Sequence, residues 1–264
     1  MRRVEANGIE IACEDTGGDG AEVVFVHGLG GSANGWLAQL EECRRRGWRG
    51  VAHDQRGAGR SSRPPGPYSV ELWAEDLLAL LDALGVRRPA LVGHSVGCMV
   101  AGRAALGLGG RLRGLALCGG ALRWQPAATP VFGERARMSR SGRLDEIAEQ
   151  VTAAGLSERC RREDPRLVGL MREMISSNDP EGYALGAEAT AEGTMADPGP
   201  IRAPVLAFCG SEDPVTPPSA AAEIAAAVPC GAVAEVAGAA HWCMLENPAE
   251  TNRVLFGFLA GLAG

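Results

Sequence analysis

The sequence predicts an α/β fold: a mostly parallel sheet covered by helices on both faces, with an all-helical segment inserted late in the chain. Three observations carry this. Short runs that are apolar at consecutive positions read as strands buried on both faces. Longer amphipathic stretches, several with recognisable helix caps, alternate with them. The alternation then stops between about 122 and 200, where periodic pieces continue without a convincing strand. At 264 residues the chain suits one large α/β domain or two small ones and can bury a sizeable core.

In chain order, "VEA" and "IEIAC" flank Asn7-Gly8, a pair suited to the positive φ angles of a tight hairpin turn. The buried strands are read at 23–27 (VVFVH), 51–54 (VAHD), 90–94 (ALVGH), 112–118 (LRGLALC), 204–210 (PVLAFCG) and 231–238 (GAVAEVAG). After "PGP" the stretch "YSVELWAEDLLALLDALG" places Leu72, Trp73, Asp76, Leu77, Leu80, Leu81 and Leu84 at helical spacing and ends at Gly85. The last helix opens on Asn247-Pro248, a cap residue followed by proline at the first helical position. The segment from 122 to 200 reads as a helical cap over one end of the sheet, with 1–121 and 201–264 forming the α/β core.

Composition narrows the function classes. A net charge of −6 argues against a nucleic-acid or anionic-membrane surface, which would need a basic field. No apolar run reaches the length of a membrane span, and no apolar core follows the two N-terminal arginines, so a cytoplasmic protein is expected. The eight cysteines are scattered with no C-x-x-C pair; they read as small buried hydrophobes, neither a zinc ribbon nor a redox motif. No metal and no cofactor is expected.

The chemistry centres on "PALVGHSVGCMV", residues 89–100. Twelve serines among 37 glycines yield about a quarter of a chance G-x-S-x-G match, so the motif alone proves little. Its context is stronger: Ser95 follows a strand and opens a helix, at the carboxyl end where open parallel sheets bind ligands. So tight a turn brings Gly93 and Gly97 against other backbone. A serine hydroxyl needs a base, and the base an orienting acid. Of the four histidines, His94 should point away along the pleat and His27 and His53 end their own strands; His241, between the last strand and last helix, is the best base. Asp213, in the turn "GSEDPVTPP", supplies the acid; its neighbour Glu212 cannot point the same way, and "LALCGGALR" offers no carboxylate after the earlier strand. An oxyanion hole then draws on the backbone N–H of Val96 and on "VHGLGGSANGW", at Leu29. That loop has a decoy reading, since Gly28-x-Gly30-x-x-Ala33 imitates a dinucleotide fingerprint with Asp54 as its acid; it would leave Ser95, Asp213 and His241 unexplained.

With "HGLGGS", "DQRGAGRSS", "GHSVG", "GSEDPVTPP" and "AAHW" in this order, the chain resembles an α/β-hydrolase over nearly its whole length. The phrases "RPPGPYSVELWAEDLLALLDALGV", "PEGYA" and "IRAPVLAFCGSEDPVTPP" are similar to bacterial 3-oxoadipate enol-lactonases. The resemblance implies a Ser95–His241–Asp213 triad with Leu29 and Val96 as the oxyanion hole. One departure is Cys98, where many relatives carry a second glycine. A second branch is also similar: Trp242 after the base, with Asn252 ten residues on, resembles the ending of meta-cleavage carbon–carbon hydrolases, although His94 and Leu29-Gly30-Gly31 depart from that pattern.

The expected function is hydrolysis of a small ester or lactone through an acyl-enzyme on Ser95. The alternatives are carbon–carbon hydrolysis of a vinylogous diketone, a non-hydrolytic tailoring enzyme, and a ligand-binding receptor on the same fold. Trp124, at the entrance to the cap, and Trp242 are candidate substrate contacts, and Arg135, Arg137, Arg140 and Arg143 form a cluster able to hold a substrate carboxylate or to serve as a solvated helix face.

Overall fold

A computed structural model describes residues 1–262; the last two positions of the expected core lie outside the described residues. The elements run β1 (Arg2–Ala6), β2 (Ile9–Asp15), β3 (Glu22–Val26), α1 (Leu37–Arg45), β4 (Arg49–His53), α2 (Val70–Ala83), β5 (Ala90–His94), α3 (Val96–Leu108) and β6 (Gly114–Cys118). Five helices follow without a strand: α4 (Ala128–Arg140), α5 (Leu144–Gly155), α6 (Glu158–Glu163), α7 (Pro165–Ser176) and α8 (Pro180–Glu192). The chain then returns through β7 (Val205–Gly210), α9 (Pro218–Ala226), β8 (Gly231–Val236), α10 (Cys243–Glu246) and α11 (Pro248–Gly261).

The eight strands form one sheet in the order β1-β2-β4-β3-β5-β6-β7-β8. The hairpin β1–β2 turns on Asn7 and Gly8, both at positive φ, and β2 joins β4 antiparallel; every later pairing is parallel. Successive residues of the central strands face opposite layers. Val24, Val26, Leu91 and Leu115 pack with α2, α3 and α9, whereas Val23, Phe25, Val92 and Phe208 pack with α1 and α11. The helical spacing in α2 puts Leu77, Leu80 and Leu81 fully inside, at about 1.5–3 kcal/mol each. Ser69 caps α2 through Leu72 N–H, and Asn247 caps α11 through Glu250 N–H.

One strand departs from its reading. β8 was expected to be buried on both faces, but it is the sheet's edge, and its first three residues are exposed, Val233 to 48%. Gly, Ala and Val are short enough to be tolerated there, and apolarity alone does not separate an edge from a centre. At the root of the helical segment, the outgoing and returning chains meet in an isolated antiparallel bridge, Arg123 with Thr194, too short to make a strand.

Candidate active site

Ser95 terminates β5 and opens α3 at φ 55°, ψ −124°, a conformation few side chains other than glycine adopt. The turn is held on both sides by close backbone approach. A Cβ on Gly97 would lie 2.5 Å from the carbonyl oxygen of His27 and 2.6 Å from that of Val26, and one on Gly93 would lie 2.4 Å from that of Gly97. The two glycines of the motif are therefore required by packing. Cys98, the departure from the common pattern, fits because Gly120 faces it: its thiol donates to the carbonyls of Gly93 and Cys118, and a Cβ at Gly120 would meet Sγ at 2.8 Å.

His241 lies in the loop before α10 and is 6% exposed. Its Nδ1–H donates to Asp213 Oδ2 at 2.8 Å, which leaves Nε2 as the acceptor. Asp213 is held in turn by Val215 N–H and Thr216 N–H at Oδ1 and by the Thr216 hydroxyl at Oδ2. Burial pushes its carboxyl up, but the charge and hydrogen bond of His241, with the Thr216 bonds, outweigh it and hold the group below the ordinary aspartate value. Glu212 is exposed and donates its N–H to Ala239. Gly119, at the end of β6, faces this pair closely: a Cβ there would be 3.1 Å from His241 Nδ1.

Ser95, His241, Leu29, Trp124 and Trp242 all line one cavity of about 400 Å³, whose remaining wall is mostly apolar residues of α4, α5 and the turn after Asp213, with Gln125, Arg135 and Thr190 as polar exceptions. Ser95 Oγ and His241 are not hydrogen-bonded to each other, a looseness common in unliganded sites of this kind. Val96 N–H, at the first position of α3, has no upstream carbonyl to meet, and Leu29 N–H makes none of the hydrogen bonds of its loop.

The other histidines have structural positions. His94 does not line the cavity; it lies behind the base, its Nε2–H donating to the His241 carbonyl at 3.0 Å with ring centres 4.8 Å apart. Burial drives it, His27 and His53 below the ordinary imidazole value, His53 to about 3. Asp54 accepts from Ala33 N–H and from the backbone and side chain of Arg60, so its carboxylate is committed to the loop and cannot receive a ribose. Asn252 binds Gln39 of α1, away from the cavity.

Sequence reasoning missed Glu246. Its carboxylate accepts from Ala240 N–H beside the base and from Ser157 N–H at the start of α6. Gly155 completes this joint, since a Cβ there would strike the Trp242 indole at 2.7 Å. Only the side chain's length after a helix start hinted at it.

A parallel sheet with a positive-φ serine at one strand end and a buried His–Asp pair at another describes hydrolases of one architecture. The chain belongs to the α/β-hydrolase fold family, whose model matches residues 22–248. It is 30% identical over 248 residues to a Caulobacter segnis protein named "Putative carbamate hydrolase RutD", covering 92% of each chain. Among solved structures, a thermophilic esterase from Thermogutta terrifontis superposes with a TM-score of 0.92 at 30% identity, over 100% of this chain and 99% of that one. The enol-lactonase of Burkholderia xenovorans superposes with a TM-score of 0.91 at 26% identity, over 98% and 100%. No helix among the described residues is long and apolar enough to cross a membrane.

Proposed function

We propose that this α/β-hydrolase cleaves a small ester or lactone through an acyl-enzyme on Ser95, with His241 as base and Asp213 as its orienting acid. The observation that carries the reading is the His241–Asp213 pair: its committed Nδ1–H leaves Nε2 free to accept, on the cavity that also holds Ser95. Ser95 Oγ attacks the carbonyl carbon as His241 Nε2 takes its proton. The oxyanion accepts from Leu29 N–H and Val96 N–H. Collapse expels the leaving oxygen, which receives the proton from His241; a water deprotonated by the same ring then releases the acid and restores the serine. Asp213 keeps the ring in this tautomer and stabilises the imidazolium. Residues 1–121 and 201–264 serve as the catalytic core, and α4–α8, within 122–200, serve as the cap, with Trp124 and Trp242 as substrate walls.

The names of the similar proteins, an esterase, an enol-lactonase and a carbamate hydrolase, all concern acyl groups on oxygen or nitrogen and support this reaction class. The test is intact-mass analysis after treatment with a fluorophosphonate. One adduct on the wild type and none on Ser95→Ala is expected, followed by turnover on a panel of esters, enol-lactones and an aryl carbamate. A folded wild type that takes no adduct refutes the assignment and favours a binding or non-hydrolytic protein.

A further inference from the structure

The peptide groups around His241 are each tied to a different part of the fold. The Ala239 carbonyl accepts from Glu212 N–H, Ala240 N–H donates to Glu246, and Trp242 N–H donates to the carbonyl of Gly155. The His241 carbonyl accepts from His94 Nε2–H at 3.0 Å. This last tie differs from the others in its origin, because His94 is the residue before Ser95. Among the described residues it is the one hydrogen bond that joins the end of β5 to the loop of the base.

The surroundings of His94 argue against a ring that merely fills space. It is fully buried, with the Trp242 indole centred 4.6 Å away, the His241 ring 4.8 Å away and Trp36 edge-on at 6.5 Å. A carbonyl can only accept, so Nε2 carries the proton and Nδ1 is a bare acceptor. Nδ1 has no partner, and a Cβ on Gly28 would lie 3.0 Å from it and 2.9 Å from Ser95 Cβ, so the ring is wedged against the loop that carries Leu29. An unpaired buried acceptor is a cost that an apolar side chain of the same shape avoids. The return on that cost lies at Nε2. Burial, with the charges of His241 and His27 pressing the same way, outweighs Asp213 and the bond to the carbonyl and holds the imidazole well below its ordinary value. The ring therefore keeps a single N–H in either protonation state of His241 and does not compete for the proton of Ser95.

We propose that His94 is a positioning residue: a rigid strut between the nucleophile turn and the base loop that sets the approach of His241 Nε2 to Ser95 Oγ. This rests on the acyl-transfer reading for Ser95 and His241. Strand β5 fixes the Cα of His94 one residue before the nucleophile, and the packed rings fix its two side-chain torsions, so the position of its N–H is set relative to Ser95. Asp213 orients the His241 imidazole about its own torsions, whereas His94 fixes where the root of that side chain stands.

The test follows the rate of fluorophosphonate labelling of Ser95 as a function of pH in the wild type, His94→Phe, His94→Gln and Val92→Ala. Phenylalanine keeps a planar ring without the N–H, and glutamine places an amide N–H near the position of Nε2. Val92, on the face of β5 turned to α1 and α11, supplies a control for lost stability. His94→Phe should label about 10–100-fold more slowly on the alkaline plateau, as displacement on the order of 1 Å would cause, with the midpoint of the profile unmoved. His94→Gln should recover most of that loss, and Val92→Ala should label like the wild type even where its Tm falls as far. If His94→Phe does not fold, His94→Leu takes its place. Equal losses in the apolar and glutamine variants, or a displaced midpoint with an intact plateau, overturn the proposal. Proton NMR of the His241 Nδ1–H reads the placement apart from the chemistry: its resonance should shift or broaden in His94→Phe and persist in His94→Gln. A wild type that takes no adduct yet shows this pattern would sink the hydrolase assignment and keep the strut. Labelling of Ser95 at an unchanged plateau in His94→Phe would do the reverse.

Discussion

Replacing Gly97 with alanine sets one methyl group against two carbonyl oxygens at the end of β3. The added carbon would stand 2.5 Å from His27 O and 2.6 Å from Val26 O, both backbone atoms that cannot rotate aside. Restoring ordinary contact requires α3 and β3 to part by about 0.9 Å, and overpacking of this kind costs about 1–3 kcal/mol. For a chain of this size each kcal/mol lowers Tm by roughly 2–4 °C, so a drop of about 2–12 °C is expected. The functional loss should be larger than the loss of stability. Val96 N–H rides on α3 and Leu29 N–H follows His27, so the same parting would open the proposed oxyanion hole between them. Misplacement on the order of 1 Å costs about 100-fold, and the fluorophosphonate labelling rate should fall by about 30–100-fold. Gly102→Ala on the same helix is the control: its Cβ would meet only the Met195 side chain at 3.4 Å, and the better helix propensity should leave stability level or raise it by up to about 1 kcal/mol, with Tm unchanged or higher. Wild-type labelling and Tm in Gly97→Ala, or equal losses in both variants, would refute the account of the turn.

Two further outcomes follow from the charged and titrating groups. Asp213→Asn keeps the shape of the acid but removes the charge that stabilises the imidazolium, so labelling should slow on the order of 10³–10⁴-fold, while Glu212→Gln should not matter; near-wild-type labelling of Asp213→Asn would assign the acid elsewhere. His27, His53 and His94 are held neutral by burial while the unfolded chain takes up protons below about pH 6.5. Stability is therefore complete above that pH and is lost as pH falls toward about 3, the His53 value, with a slope of up to about 1.4 kcal/mol per pH unit for each ring. Denaturant unfolding at pH 7, 6 and 5 reads this directly, and His53→Gln should flatten the curve; equal stability at the three values contradicts it.

The strands and the candidate triad were legible because their signals are local. Each central strand is a continuous apolar run, and Ser95, Asp213 and His241 each follow one, so position along the chain implies position at the carboxyl edge of the sheet. Partnership was less legible. The i, i+3 spacing of Glu134 with Arg137 and of Arg143 with Glu146 was readable and would have thinned the arginine cluster. Arg140 finds its acids on α8, more than forty residues away, and no spacing rule reaches that far. His94 shows the same limit: the pleat correctly turned it from the cavity, but that it would lie against the back of His241 depends on how β5 meets a loop 147 residues later. The exposed face of β8 depended on strand order, which pattern alone does not contain.

The joint at Gly155, Ser157 and Glu246 carries a consequence for swapping parts between relatives. Helices α4 and α8 are tied to each other through Arg140 with Glu181 and Glu188, but the turn between α5 and α6 grips the loop that carries His241: Ser157 shares Glu246 with Ala240, and Gly155 receives the Trp242 ring. A chimera that imports a foreign helical segment with a larger residue at 155, or without a donor at 157, would disturb the imidazole from outside while leaving every core residue native. Grafts spliced on either side of this turn, retaining 155–157 from the recipient, would carry over a new pocket wall without that fault.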